Sequence, residues 1–414
     1  MRARRRESQG RREPVARGGL GVARRARRRR GPCRLGIAAG GARRAGSPTE
    51  GAGREGNFGG TTAADFYESC AGAGGNGVGE ALVKTSACGI CGSDLHALRH
   101  GHEMVKSQKE TGGPLIYNAD EDLVMGHEFC AEVVELGIGC LDNVEVGDIV
   151  CSMPVLLRPD KLHTIGYSND FPGGYAEHML LSSRFLLPVR NGLSPAEAAL
   201  TEPMAVGRHA VEKSMVSTKD VCLVIGCGPV GLAVVASLKQ KGLGPIIAAD
   251  FSPRRRELAE LMGADEVIDP AIESPYRSWR DLSLPANSSA NDSNDRALNG
   301  SANPGVIFEC VGVPGVVNQI MHGAVKDTRI VVVGVCMEED NFRPLTGIGK
   351  ELNIQFVLGY TSEEFSDTLR AISEGEIPVT ELITGRVGLE GVAQAFEDLG
   401  DPEAHAKIIV EPWR

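Results

Sequence analysis

The sequence predicts an α/β protein built in two parts, a β-rich part followed by a doubly wound parallel sheet. Three observations carry this. Short β-type segments punctuated by glycine fill residues 77 to about 200. A glycine turn, GCGPVGL at Gly226–Leu232, sits between an apolar run and a helix-forming stretch. Two further apolar runs, PGVIFECVG and TRIVVVGVC, follow in alternation with polar segments.

Residues 1–76 come first and read differently. Tracts such as RRARRRRG and GGARRAG have neither a helical nor an alternating apolar period, so a disordered Arg/Gly-rich extension is expected. An organelle-targeting peptide is a second reading, because Arg is abundant, but Ser is scarce. A nucleic-acid-binding arm is a third, and a natural start further downstream a fourth. Folded character begins near GVGEALVKTSA, where EALVKTSA reads as a strand. LVMGHEFCAEVVEL and GDIVCSMPVLL supply further β segments, and this domain is set at 77–204. TEPMAVGRHAVEKSM reads as a helix, with Met204, Val206, Ala210 and Val211 on one buried side.

DVCLVIGCGPVGLAVVASLKQKGLGPIIAADFS is a strand, a glycine turn, a helix and a second strand, within a domain set at 205–360. Residues 281–304 are polar and read as an exposed loop; the Asn-x-Ser matches at Asn287, Asn291 and Asn299 are those such a composition yields by chance. Residues 361–414 hold an amphipathic helix, EEFSDTLRAISEGE, and a closing strand, AHAKIIVEP.

The 414 residues suffice for two domains, each with its own core. No apolar run reaches the ~18 residues of a membrane-spanning helix, so no membrane association is expected. The 11 cysteines are scattered and odd in number, which argues against a secreted disulfide scaffold. A reducing, cytoplasmic location is expected. Residues 1–60 hold 17 Arg against 4 Glu, so the rest of the chain carries about −23 to reach the net −10; such an acidic body is no nucleic-acid partner.

Gly226, Gly228 and Gly231 form GxGxxG after a strand and at the opening of a helix. The first permits a tight turn, the second lets backbone approach a pyrophosphate, and the third permits close helix–strand packing. Pro229 and Val230 begin the helix, whose free N–H groups favour phosphate. Asp250 follows 19 residues after Gly231, where a carboxylate can accept from ribose hydroxyls and repel a 2′-phosphate, so NAD is expected over NADP. Arg254, Arg255 and Arg256 stand nearby, and Arg255 is a candidate cofactor contact that softens this preference. The plain alternative is a structural glycine turn with no ligand.

CGICGSDLH, Cys88–His96, packs two cysteines, an aspartate and a histidine together. Zinc takes Cys, His and carboxylate ligands, and Cys91, His127, Glu128 and Glu202 offer all three kinds. A Cys88–Cys91 redox pair and inert buried thiols stay open as alternatives. A four-cysteine site lacks a second pair, since Cys130, Cys140 and Cys151 have no CxxC spacing.

Taken in order, GICGSDLH, GHEF, GGYAEHM, TEPMAVG and GCGPVGL closely resemble the zinc-containing medium-chain dehydrogenase/reductase family, from residue 77 to the C-terminus. The resemblance implies a GroES-like catalytic domain interrupted by a Rossmann domain, with catalytic residues in the cleft between them. It implies Cys91 and His127 as zinc ligands, Glu128 beside the metal, and Glu202 as third ligand, as in polyol dehydrogenases. Ser93 and His96 match a proton relay, Asp94 matches a carboxylate that orients a ligand, and Cys88 falls outside the pattern. The family's four-cysteine lobe is missing from SMPVLLRPDKLHTIGYSNDFPGG, so one catalytic zinc and no structural zinc are expected. The two strands that usually precede GEALVK have no counterpart in 1–76, which would leave the catalytic sheet an unpaired edge.

The implied activity is oxidation of a secondary alcohol, polyol or amino alcohol, with zinc as Lewis acid and hydride transfer to NAD. A homodimer or homotetramer is the expected assembly. Two rivals are a zinc-free NADPH-dependent quinone or enone reductase of the same superfamily and a non-catalytic nucleotide-binding relative. Cys91, His127 and Glu202 together argue against the first.

Overall fold

A computed structural model describes residues 78–113, 117–159, 161–283 and 305–414. The expected extension at 1–76 and the three Asn-x-Ser matches lie outside the described residues.

The first sheet grows around β1 (Glu80–Gly89), a strand buried along nearly its whole length. It leads into α1 (Gly92–Thr111), a helix kinked at His100, where φ is −129°. β2 (Glu128–Leu136) pairs antiparallel along β1. Then come β3 (Ile149–Ser152), a small hairpin of β4 (Val155–Leu157) and β5 (Leu162–Thr164), β6 (His178–Ser182) and β7 (Leu186–Pro188). Two short helices follow, α2 (Pro195–Ala199) and α3 (Thr201–Lys213). The opposite side of β1 is covered by β6 over residues 80–84 and by a late strand at Cys88 and Gly89, so among the described residues β1 is no edge. The β4–β5 hairpin occupies the cysteine-free segment, and Arg158 Nε and Nη2 there each lie 2.9 Å from a Glu80 carboxylate oxygen. The pair is buried, and its two-pronged geometry ties the hairpin to β1.

The second sheet is parallel and six-stranded. Its elements are β8 (Cys222–Ile225), α4 (Pro229–Gln240), β9 (Ile246–Ala249), α5 (Pro253–Met262), β10 (Glu266–Ile268), α6 (Pro275–Leu282), β11 (Val306–Glu309), α7 (Val316–Gly323), β12 (Arg329–Val332), α8 (Pro344–Lys350) and β13 (Asn353–Phe356). The spatial order is β10-β9-β8-β11-β12-β13, so the winding reverses between β8 and β11. Ligands of doubly wound sheets bind in the crevice beyond the strand ends at that reversal. Residues 281–283 correct the exposed-loop expectation: they finish α6, and Ser283 caps it in a buried position. The cause is Trp279, fully buried, whose indole donates to the Val221 carbonyl at 3.0 Å and anchors the last turn.

After β13 the chain returns through α9 (Ser362–Ser373) to the first sheet, where β14 (Ile383–Val387), α10 (Val392–Asp398) and β15 (Lys407–Val410) complete it. β15 is the late strand beside β1. Each part has a core of its own, and a further cluster joins them, packing Cys130 and Cys151 of the first sheet with Cys222 and Val224 of the second. Gly207 of α3 packs on α4 so closely that a Cβ there would lie 2.4 Å from the Ala233 carbonyl carbon. No helix among the described residues is long and apolar enough to cross a membrane.

Candidate active site

Antiparallel pairing of β1 with β2 brings the end of one strand to the start of the other. Gly89 sits opposite Glu128, and a Cβ at Gly89 would lie 2.1 Å from Glu128 Oε2, so glycine leaves the room that the carboxylate fills. Cys91 follows as the residue capping α1, and His127 immediately precedes β2. The ligand atoms of Cys91, His127 and Glu128 all lie within 4.8 Å of one another. Cys88 is turned away: its thiol is buried against Gly174, where an added Cβ would meet Sγ at 2.5 Å. Cys88 lies within β1 and Cys91 beyond its end, so the two cysteines of the CxxC have different surroundings.

Asp94, fully buried, organises the cluster. Its Oδ2 accepts from the Cys91 amide at 3.1 Å and from the Tyr175 hydroxyl at 2.7 Å. Its Oδ1 stands 3.2 Å from His127 Nδ1 as an ion-pair partner, without satisfying that nitrogen by a hydrogen bond. Burial alone would raise the Asp94 carboxyl; the His127 ring and these hydrogen bonds bring it below its ordinary value. Burial likewise disfavours the charged His127 ring, yet Asp94 and the Cys91 thiol outweigh this and raise its pKa well above the usual range. Ser93 Oγ lies 3.4 Å from His127 Nε2 and accepts from the Tyr167 hydroxyl at 2.9 Å. Tyr167 also borders a cavity of about 1130 Å3 lined with His163, Ser168, Asn118 and Asn169. His96, one turn along α1, is half-buried and has no hydrogen bond to Ser93 or the cluster among the described residues.

Two carboxylates are held differently. Glu128 is fully buried, and Lys407 Nζ, at the start of β15, lies 2.7 Å from each of its oxygens and donates to the Ile90 carbonyl at 2.9 Å. Glu202, on the first turn of α3, lies outside the tight three-residue group and accepts from the Tyr360 hydroxyl at 3.0 Å. Burial, with the Glu128 charge adding to it against the opposing His127, pushes the Glu202 carboxyl up to about 7. Sequence reasoning missed Tyr167, Tyr175, Tyr360 and Lys407. Only Lys407 left a signal, as the one ionisable residue at the head of the apolar run KIIV.

The glycine turn joins β8 to α4. Gly226 has φ 91°, and a Cβ on it would strike Val311 Cγ2 at 2.7 Å. A Cβ on Gly231 would lie 1.9 Å from the Gly226 carbonyl oxygen. Gly228, at the N-terminus of α4, faces open space. Pro229 and Val230 form the first turn of α4. Asp250 stands at the end of β9; its Oδ2 accepts from the Cys227 amide and its Oδ1 from the Ser252 amide, both at 2.8 Å. Arg255 Nη1 is 3.9 Å from Asp250 Oδ2. Pro229 and Lys407 line the same small cavity, so the turn and the cluster adjoin.

The chain matches two families, an alcohol dehydrogenase GroES-like domain over residues 77–191 and a zinc-binding dehydrogenase domain over residues 229–374. It is 30% identical to the (R,R)-butanediol dehydrogenase of Bacillus subtilis over 81% of this chain and 93% of that one. It is 28% identical to the L-galactonate-5-dehydrogenase of Escherichia coli over 78% and 88%. Among solved structures, the 2R,3R-butanediol dehydrogenase of Bacillus subtilis superposes with a TM-score of 0.61 at 28% identity, covering 81% of this chain and 93% of that one. The two family matches fall on the two sheets, and the chain belongs to the zinc-type medium-chain alcohol and polyol dehydrogenases.

Proposed function

We propose that this chain oxidises a secondary alcohol or polyol to the carbonyl at one zinc site, with hydride transfer to NAD. The observation that carries the reading is the buried group of Cys91, His127 and Glu128, whose ligand atoms lie within 4.8 Å of one another. The donor set fits zinc: one thiol, one imidazole and carboxylates. Glu202 is our third ligand in preference to Glu128. The Glu128 charge is already compensated by Lys407, whereas Glu202 has only a tyrosine hydroxyl and is driven toward its neutral form. A divalent cation would satisfy Glu202 and leave Glu128 beside the metal. Zinc there would supply a Lewis acid that lowers the pKa of the alcohol, and a nicotinamide dinucleotide the hydride acceptor.

The chain's own groups do the rest. Asp94 orients His127 and fixes the Cys91 backbone. Ser93 Oγ, next to His127 and bonded to Tyr167, is placed to take the alcohol proton. Gly228 and the first amides of α4 receive the pyrophosphate, and Asp250, aimed by two backbone amides, receives the ribose hydroxyls. A 2′-phosphate there meets a carboxylate, which supports NAD, with Arg255 as partial compensation.

The butanediol and galactonate dehydrogenases among the relatives support a vicinal diol or polyol substrate. Assembly as a homodimer is supported by β13, an edge strand among the described residues, with Phe356 65% and Ile348 of α8 72% exposed. The test is NAD reduction with 2,3-butanediol, sorbitol and threonine, with zinc measured on the same sample. Turnover of a diol or polyol by zinc-loaded protein supports the reading; no turnover of any of the three by zinc-loaded protein contradicts it.

A further inference from the structure

Three loops meet beyond the C-terminal ends of β8, β11 and β12. A Cβ on Gly334, after β12, would lie 2.4 Å from the Gly312 amide nitrogen and 2.7 Å from Glu309 Oε2. Gly312 itself has φ 71°, and its would-be Cβ meets Val335 N at 2.7 Å. Val311 reaches the glycine turn, as its contact with a Cβ on Gly226 showed. These loops therefore touch backbone to backbone around the point where the sheet reverses its winding.

Glu309, the last residue of β11, sits at their centre and is 1% exposed. Its Oε1 accepts from the Val311 amide at 2.8 Å and the Gly312 amide at 2.9 Å. Its backbone carbonyl accepts from Val333 and Gly334, both at 2.9 Å. A buried carboxyl is costly unless it is hydrogen-bonded, and the alcohol chemistry makes no use of this one. What it does is fold the loop after β11 back on itself, so that Val311 rests against Gly226. Val311, Val313 and Val335 on these loops keep apolar, half-exposed faces.

We propose that Glu309 is a positioning residue for the dinucleotide, preforming the crevice wall opposite the glycine turn. This rests on the reading that the crevice binds NAD. Preformed loops avoid the ordering entropy that binding would otherwise incur. The carboxylate acts through the backbone and through Val311, not by touching the cofactor.

The test is NADH titration by fluorescence, with steady-state kinetics, on full-length zinc-loaded wild type, Glu309→Gln, Glu309→Ala and Val311→Ala. Glu309→Ala should weaken NADH binding roughly ten- to a hundredfold. Its KM for NAD should rise in proportion, with kcat and zinc content within about threefold of wild type. Glu309→Gln, which keeps an accepting oxygen, should recover most of the affinity, a rescue that generic destabilisation would not produce. Val311→Ala, at a half-exposed position, reads the same wall if Glu309→Ala does not fold; it should weaken NADH binding several-fold. NADH affinity unchanged in Val311→Ala and in folded Glu309→Ala overturns the proposal. Failure of the wild type itself to bind NADH overturns the underlying cofactor reading as well.

Discussion

Lys407 and Glu128 form a buried ion pair, 2.7 Å from Nζ to each carboxylate oxygen, beside Cys91 and His127. Lys407 is 2% exposed and Glu128 fully buried. Burial would lower the lysine pKa, but Glu128, with Cys91 and Glu202 nearby, outweighs it and raises it, so Lys407 stays charged.

Breaking this pair from one side leaves an uncompensated buried charge. Lys407→Met should therefore destabilise the protein by about 3–5 kcal/mol in denaturant titrations. The double variant Lys407→Met/Glu128→Gln should recover a large part of that loss. Equal losses for single and double variants would show that packing, not charge, is what Lys407 supplies.

Glu202 gives a pH signature in metal-free protein. Its carboxyl is pushed up to about 7 from an ordinary 4.5, so the folded state holds a proton that the unfolded chain releases. The associated stability is present below about pH 4.5 and is lost as pH rises through about 7. With chelator present, wild-type Tm should fall by a few degrees relative to Glu202→Gln between about pH 5 and pH 8. Saturating zinc should abolish the difference. Parallel Tm profiles in chelator would contradict the assignment.

Ser93 and His96 separate as candidates for handling the alcohol proton. Ser93→Ala should lower kcat roughly ten- to a hundredfold while zinc stays bound. His96→Asn should leave kcat within about threefold, since no hydrogen bond connects His96 to the cluster among the described residues. A larger loss in His96→Asn than in Ser93→Ala would restore His96 to the relay that the family resemblance implies.

Asp250 makes the cofactor prediction. Initial rates should favour NAD over NADP, and Asp250→Ser should narrow the ratio by roughly tenfold or more by removing the carboxylate and leaving Arg255. Faster NADP turnover by the wild type would mean that the arginines dominate.

The parts of this site that were legible in the sequence are those carried by local chemistry. The glycine turn and the GIC and GHE segments each lie at a strand end, and a short stretch fixes the residue types such a position tolerates. Gly231 is an example, since any Cβ there strikes the Gly226 carbonyl. The groups that were not legible act across long separations. Lys407 reaches Glu128 over 279 residues and Tyr360 reaches Glu202 over 158, because β15 and α9 return to the first sheet after the second is complete. A lysine opening a closing strand and a tyrosine in a loop carry no mark of such partners. The polar run after Trp279 hid the last turn of α6 for the same reason: its anchor, the Val221 carbonyl, lies 58 residues away.

The central claim, one zinc held at Cys91 and not at Cys88, is tested most directly by elemental analysis of purified wild type, Cys91→Ala and Cys88→Ala. The two thiols are three residues apart, but only Cys91 joins His127 and Glu128, while Cys88 faces Gly174. Wild type and Cys88→Ala should each hold about one zinc per chain and Cys91→Ala almost none. Equal zinc in the two variants, or two zincs in the wild type, would contradict the account.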